Sequence, residues 1–197
     1  NGGKTNPDGS ISGGSGVWGP DTNWTDPTGT QALGANGQFA VFGGQGGAVT
    51  VLGNQRFTGL QFLGSGYSLA SGAGGSLTPV NGAGGSLAPV RVNAGATTEI
   101  SVPLVGIGGI EKLDSGTLLL SAANTYSGGT TVSGGTLIGN STSLQGNILN
   151  NAQLVFQQNV AGQFSGTLSG TGRLAKRGAG RLLLTGNQPF NGSVSVD

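Results

Sequence analysis

The chain of 197 residues holds 43 Gly and no Cys, Met or His, with 8 % charged residues and a net charge of +1. Without Cys there is no disulfide frame and no thiolate chemistry. Without His there is no Ser-His-Asp triad, no imidazole base and no histidine metal ligand.

The start, Asn1-Gly2-Gly3-Lys4, has neither Met nor an apolar signal region, and reads as a processed or cut end. Both Trp residues follow in Gly16-Val17-Trp18-Gly19-Pro20-Asp21-Thr22-Asn23-Trp24. From there short β-prone runs alternate with Gly, Asn and Ser clusters: Ala48 to Leu52, Phe57 to Phe62, Pro89 to Val92 and Thr98 to Val102. Thr117 to Leu120, Leu154 to Phe156, Arg181 to Leu184 and Ser193 to Val196 continue the series. No window shows helical periodicity with caps. Gly does not recur at every third position, which excludes collagen, and no run of about 18 apolar residues exists to span a membrane as a helix.

Sandwich, barrel and solenoid all fit such spacing, and internal repeats decide between them. An offset of 64 aligns Lys112 with Lys176, Gly116 with Gly180, Leu118–Leu120 with Leu182–Leu184, Tyr126 with Phe190, Gly128 with Gly192 and Val132 with Val196. A local duplication at an offset of 10 places GAGGSLTPV from Gly72 before GAGGSLAPV from Gly82. A helix-free chain that repeats in this way predicts an all-β solenoid, in which each coil closes its core on the next. Coils of about 20–24 residues would put three in each long repeat unit. Some eight coils at ~4.8 Å make a rod of roughly 40 Å. Residues 1–47 are read as an N-terminal segment and cap, with Trp18 and Trp24 covering the open core; a carbohydrate-stacking platform is the alternative for the two indoles. Residues 48–197 are read as one continuous run of coils.

The stretch Gly109-Ile110-Glu111-Lys112-Leu113-Asp114-Ser115-Gly116-Thr117-Leu118-Leu119-Leu120, continued by Asn124, Tyr126, Gly128, Thr130 and Val132, closely resembles the passenger-associated transport repeat of Gram-negative autotransporters. Repeats are placed near 109–137 and 170–197. In the second copy Gly178 stands for Asp114, Arg177 for Leu113 and Arg181 for Thr117. The resemblance implies a right-handed parallel β-helix. It also implies export through the periplasm and outer membrane to the cell surface or medium, with a C-terminal outer-membrane barrel in a longer parent protein. It implies adhesion or host-factor binding without catalysis; self-association of cells and a polysaccharide-degrading enzyme are the alternatives. Expected partners are a host surface or matrix protein or a glycan, and a second copy of the chain, but not nucleic acid.

The residues themselves point to no catalytic or metal centre and to no cofactor. A nucleophilic Ser would lack a His base. The pairs Asp21/Asp26 and Glu111/Asp114, and Glu99 with Glu111 across coils, are the carboxylate candidates for glycan chemistry. Asp21 and Asp26 adjoin prolines and suit turns. The Gly72–Ser76 run lacks the Asp of a calcium roll. Residues 1–150 hold four basic and six acidic residues, whereas 151–197 hold four basic and one acidic. The four basic residues are Arg173, Lys176, Arg177 and Arg181, a candidate patch for an acidic ligand; a solvated face that blocks edge pairing is the structural alternative. Loops 1–16, 64–88 and 139–152 break the repeat and are expected to carry specificity.

Overall fold

The computed structural model describes residues 13–19, 24–25, 32–33 and 37–197. Its described strands are parallel except for a short antiparallel pair, Trp24–Thr25 with Ala32–Leu33. The only helical element among them is a 3-10 turn at Ala83–Gly85.

The chain winds between two long sheets. A nine-stranded sheet stacks Gly16–Trp18, Ala48–Val51, Tyr67–Ser71, Thr97–Ser101, Thr117–Leu120, Thr136–Gly139, Gln153–Gln157, Arg173–Arg177 and Ser193–Val196. An eight-stranded sheet includes Gln38–Phe42, Asn54–Phe62, Ala88–Val92, Ile110–Leu113, Thr130–Val132, Ile148–Asn150 and Leu168–Ser169. From Gly162 a third face forms as Gly162–Phe164 pairs with Leu182–Leu184. This is the solenoid that the repeats predict, with about eight turns.

Alternation along each strand sends every second side chain inward. Parallel stacking then builds columns of like residues. Leu118 pairs with Leu137, Leu137 with Leu154, and Leu154 with Leu174. All four are buried. Burying such a side chain stabilises the fold by about 1.5–3 kcal/mol. At the N-terminal end Trp18 is fully buried and lies 5.9 Å from Phe42, which stacks on Phe62 at 4.6 Å. The Tyr67 hydroxyl donates to the Gly43 carbonyl beside them. The side chain of Trp24, the other half of the expected cap, lies outside the described residues.

Most coils fall at or just below the lower end of the expected length. Val49 meets Leu69, Ile100 meets Leu120 and Leu154 meets Leu174. Leu137 meets Leu154 after a shorter step. The coil from Leu69 to Ile100 is longer because it contains the local duplication, and the step from Gly16 to Val49 is longer still. Both copies lie along one strand, Asn54–Phe62. Ser76–Pro79 pairs with its first half, Asn54–Phe57, and Val90–Val92 with its second half, Leu60–Phe62. The glycine run that opens the second copy is extruded, so that Gly82–Ser86 are exposed.

The long repeat does not equal three whole coils. Lys112 pairs with Val132, and Val132 with Asn150, in the eight-stranded sheet. Lys176 pairs with Phe156 and Val196 in the nine-stranded sheet. The second copy is therefore advanced by one face. Its local bonds are nonetheless kept. Ser127 N donates to Gly106 O, and Asn191 N to Gly170 O. Asn124 Oδ1 accepts from Leu104 N at 2.8 Å, and Gln188 Oε1 from Leu168 N at 2.9 Å. These bonds join each coil to the one before it, and that geometry is the same on any face.

Candidate functional site

Where each coil passes from the eight-stranded to the nine-stranded sheet, the chain turns a tight corner. Gly135, Ala152, Gly172 and Gly192 stand at this corner in four successive coils. Close stacking of backbone on backbone excludes larger side chains there. A Cβ on Gly172 would collide with Ala152 O, and one on Gly192 with Gly172 O. The backbone donors beyond the corner are already used: Gln153 N bonds to Gly135 O, Arg173 N to Ala152 O, and Ser193 N to Gly172 O. Asn150, fully buried behind the corner, donates from Nδ2 to Arg173 O at 2.9 Å.

The result is an open groove of about 590 Å³ that crosses four coils parallel to the rod. Its floor is the small-residue corner. Asn151, Thr171 and Asn191 precede the floor residues in the chain, while Gln153, Arg173 and Ser193 follow them. The lining is made of amides, hydroxyls and one guanidinium, with no carboxylate and no aromatic ring.

The four basic residues of the C-terminal part have different settings. Arg173 is exposed and lines the groove. Arg177 is on the same outer side of that strand, 3.4 Å from Asp197. Lys176 points inward: it is in register with buried Phe156, and its Nζ donates to Gly178 O. Arg181 lies past the turn at Gly178, at the entry to Leu182–Leu184. Among the described residues, neither Arg173 nor Arg181 has a carboxylate within ion-pair distance.

The carboxylate candidates are dispersed. Glu99 is in the nine-stranded sheet and accepts from Ser121 Oγ at 2.6 Å. Glu111 is in the eight-stranded sheet and accepts from Ser133 Oγ at 2.6 Å. Asp114 pairs with Arg91 at 2.9 Å. Asp21 and Asp26 lie outside the described residues. No group of three metal-ligating side chains occurs among the described residues. Of the loops expected to carry specificity, 64–88 contains the extruded Gly82–Ser86, and 139–152 begins with a turn in which Asn140 Oδ1 accepts from Thr142 N and Ser143 N. Most of 1–16 lies outside the described residues.

Two side chains organise the repeat without standing out as candidates in the sequence. Lys112 is fully buried, and its Nζ donates to Leu113 O, Asp114 O and Gly134 O at 2.7, 2.8 and 3.2 Å. Burial pulls its pKa down to about 8, and the Asp114 charge opposes that shift. Asn124 is also buried and bridges two coils, accepting from Leu104 N and donating to Ser143 O at 2.7 Å. Lys112 recurs as Lys176 in the second copy, which was the signal available for it, whereas Asn124 is replaced there by Gln188. Tyr126 completes the unit: its hydroxyl is 2.6 Å from Thr130 Oγ1, and burial raises its pKa.

A family model described as passenger-associated-transport-repeat matches residues 110–138 and 174–197. The chain is similar to "Adhesin BmaC autotransporter" of Brucella suis biovar 1 (strain 1330), at 36 % identity over 228 aligned positions that take in 95 % of this chain. The match spans 7 % of that relative's length. No solved structure matches.

Proposed function

The chain belongs with autotransporter passengers, and from that premise we propose that it is an adhesive segment of a surface-exposed or secreted protein. The observation that carries this reading is the similarity along 95 % of the chain to a protein named as an adhesin. The architecture supports it. A stack of coils joined by backbone bonds keeps its outer faces rigid, so contacts on successive coils add without further ordering cost. The groove noted above is open rather than enclosed, which suits an extended ligand. Enzymatic cleavage of a polysaccharide fits less well: Glu99 and Glu111 lie in different sheets, each accepting from a serine.

The test is adherence of beads coated with the purified chain to host cells and to immobilised matrix proteins. Saturable attachment that soluble chain competes away is the expected result. Attachment no greater than that of beads bearing an unrelated β-solenoid would overturn the reading. Sedimentation of the same preparation separates adhesion to a target from self-association.

A further inference from the structure

Resting on the adhesive reading, we infer that the groove floored by Gly135, Ala152, Gly172 and Gly192 is the binding site for an acidic glycan laid along the rod. Four observations converge on this ligand class. The first is shape. The groove is open at its sides and crosses four coils, about 14 Å at ~4.8 Å per coil, so it receives a linear polymer rather than a compact molecule.

The second is the hydrogen-bonding character of the walls. Asn151, Thr171 and Asn191 bring donors and acceptors at a one-coil interval, and Ser193 adds a hydroxyl beside Asn191. Amides and hydroxyls in such a series match a chain of sugar hydroxyls. The third is charge. Arg173 is the only ionic group lining the groove, and no carboxylate among the described residues neutralises it. A guanidinium in this setting pairs with a sulfate or carboxylate, bidentately when the geometry allows.

The fourth observation argues against a peptide. A peptide added as a strand needs unused backbone donors and acceptors at a sheet edge. Here the corner amides of Gln153, Arg173 and Ser193 already bond to the preceding coil. A peptide held by its side chains needs an apolar anchor pocket, and the lining supplies no large apolar side chain.

The experiment measures binding of the whole chain to a sulfated heparin tetrasaccharide, a polygalacturonate tetrasaccharide and neutral cellotetraose. The expected result is saturable binding of at least one acidic probe, with the neutral probe much weaker. Arg173→Ala should weaken that binding about tenfold, the loss of one charge-assisted contact, and Arg181→Ala should change it less than about twofold. Thr171→Leu, which removes one hydroxyl and places a larger apolar, non-stacking side chain in the groove without altering charge, should also weaken it, by about tenfold. Circular dichroism of each variant checks that the fold is retained.

The inference is overturned if neither acidic probe binds, if Arg181→Ala matches Arg173→Ala, or if folded Thr171→Leu binds as well as the parent. Bead adherence is read in parallel. Adherence without acidic-probe binding removes the glycan assignment alone. Acidic-probe binding with the expected variant pattern, but without adherence, leaves the groove assignment standing and removes the adhesive role.

Discussion

Lys112 and Lys176 lie in different sheets, yet each directs its Nζ to the carbonyl of the residue two positions further on, Asp114 and Gly178 respectively. Both of those residues have positive φ, 61° at Asp114 and 83° at Gly178. The lysine thus ties down the turn that follows its own strand, and Lys112 also holds Gly134 of the next coil. Inside an apolar column, three carbonyl acceptors are what keep an ammonium tolerable.

Replacing Lys112 with Met keeps the apolar stem but strands three carbonyls. A loss of about 2 kcal/mol is expected in urea unfolding. The pH dependence gives an independent check. The pKa of Lys112 falls from its ordinary 10.5 to about 8 in the folded chain. Between those values the unfolded chain holds a proton that the folded chain has released, so stability rises as pH increases from about 8 to 10.5. That component of the rise should be missing from Lys112→Met.

Asp114 is the only non-glycine residue with positive φ among the described residues. Asp114→Gly relieves a left-handed cost of about 1 kcal/mol. It also removes the half-exposed pair with Arg91, which is worth about 0–1 kcal/mol. The two nearly cancel, so thermal unfolding should move little. Asp114→Val loses the pair and puts a branched side chain at positive φ, and its unfolding temperature should fall clearly below both.

The strand runs were legible because alternation and β-branching act locally, and Thr117–Leu120 and Ser193–Val196 form as the sequence predicts. The buried Lys112 was not, since a lysine in a strand ordinarily marks the solvent face and only the turn carbonyls at Asp114 reverse that. The expectation of three whole coils per repeat unit failed for a related reason. The repeat preserves bonds, such as Asn124 to Leu104 and Gln188 to Leu168, that do not depend on which face carries them. Arg173 stood out as charge. The groove around it did not, because its floor exists only when Gly172 stacks on Ala152 and Gly192 on Gly172.

Asn124→Ala should destabilise the chain by about 2–3 kcal/mol, since it leaves Leu104 N and Ser143 O buried without partners. Asn124→Asp separates acceptor from donor. It can still accept from Leu104 N, but at neutral pH its second oxygen faces the Ser143 carbonyl. That variant should be more stable, relative to the parent, near pH 4 than near pH 7. Equal offsets at both values would refute the bridging role.

Deleting Asn81–Val90 should leave a folded solenoid whose long coil shrinks to nearly the length of its neighbours. The remaining copy would move to Leu60–Phe62, and Leu77 would leave the interior at a cost of about 2–3 kcal/mol. Subtilisin should nick the parent within the exposed Gly82–Ser86 and spare the deletion variant. Loss of β-type circular dichroism on deletion would show that both copies are required for folding.

The one-face advance turns the second repeat about the rod relative to the first. Each repeat brings its lysine turn to a different flank from the one before, although the motif is the same. An antibody or inhibitor that approaches from one side and reads the turn of the first copy would find the second rotated out of its path. Sequence similarity between the repeats therefore does not translate into bivalent capture along a single line.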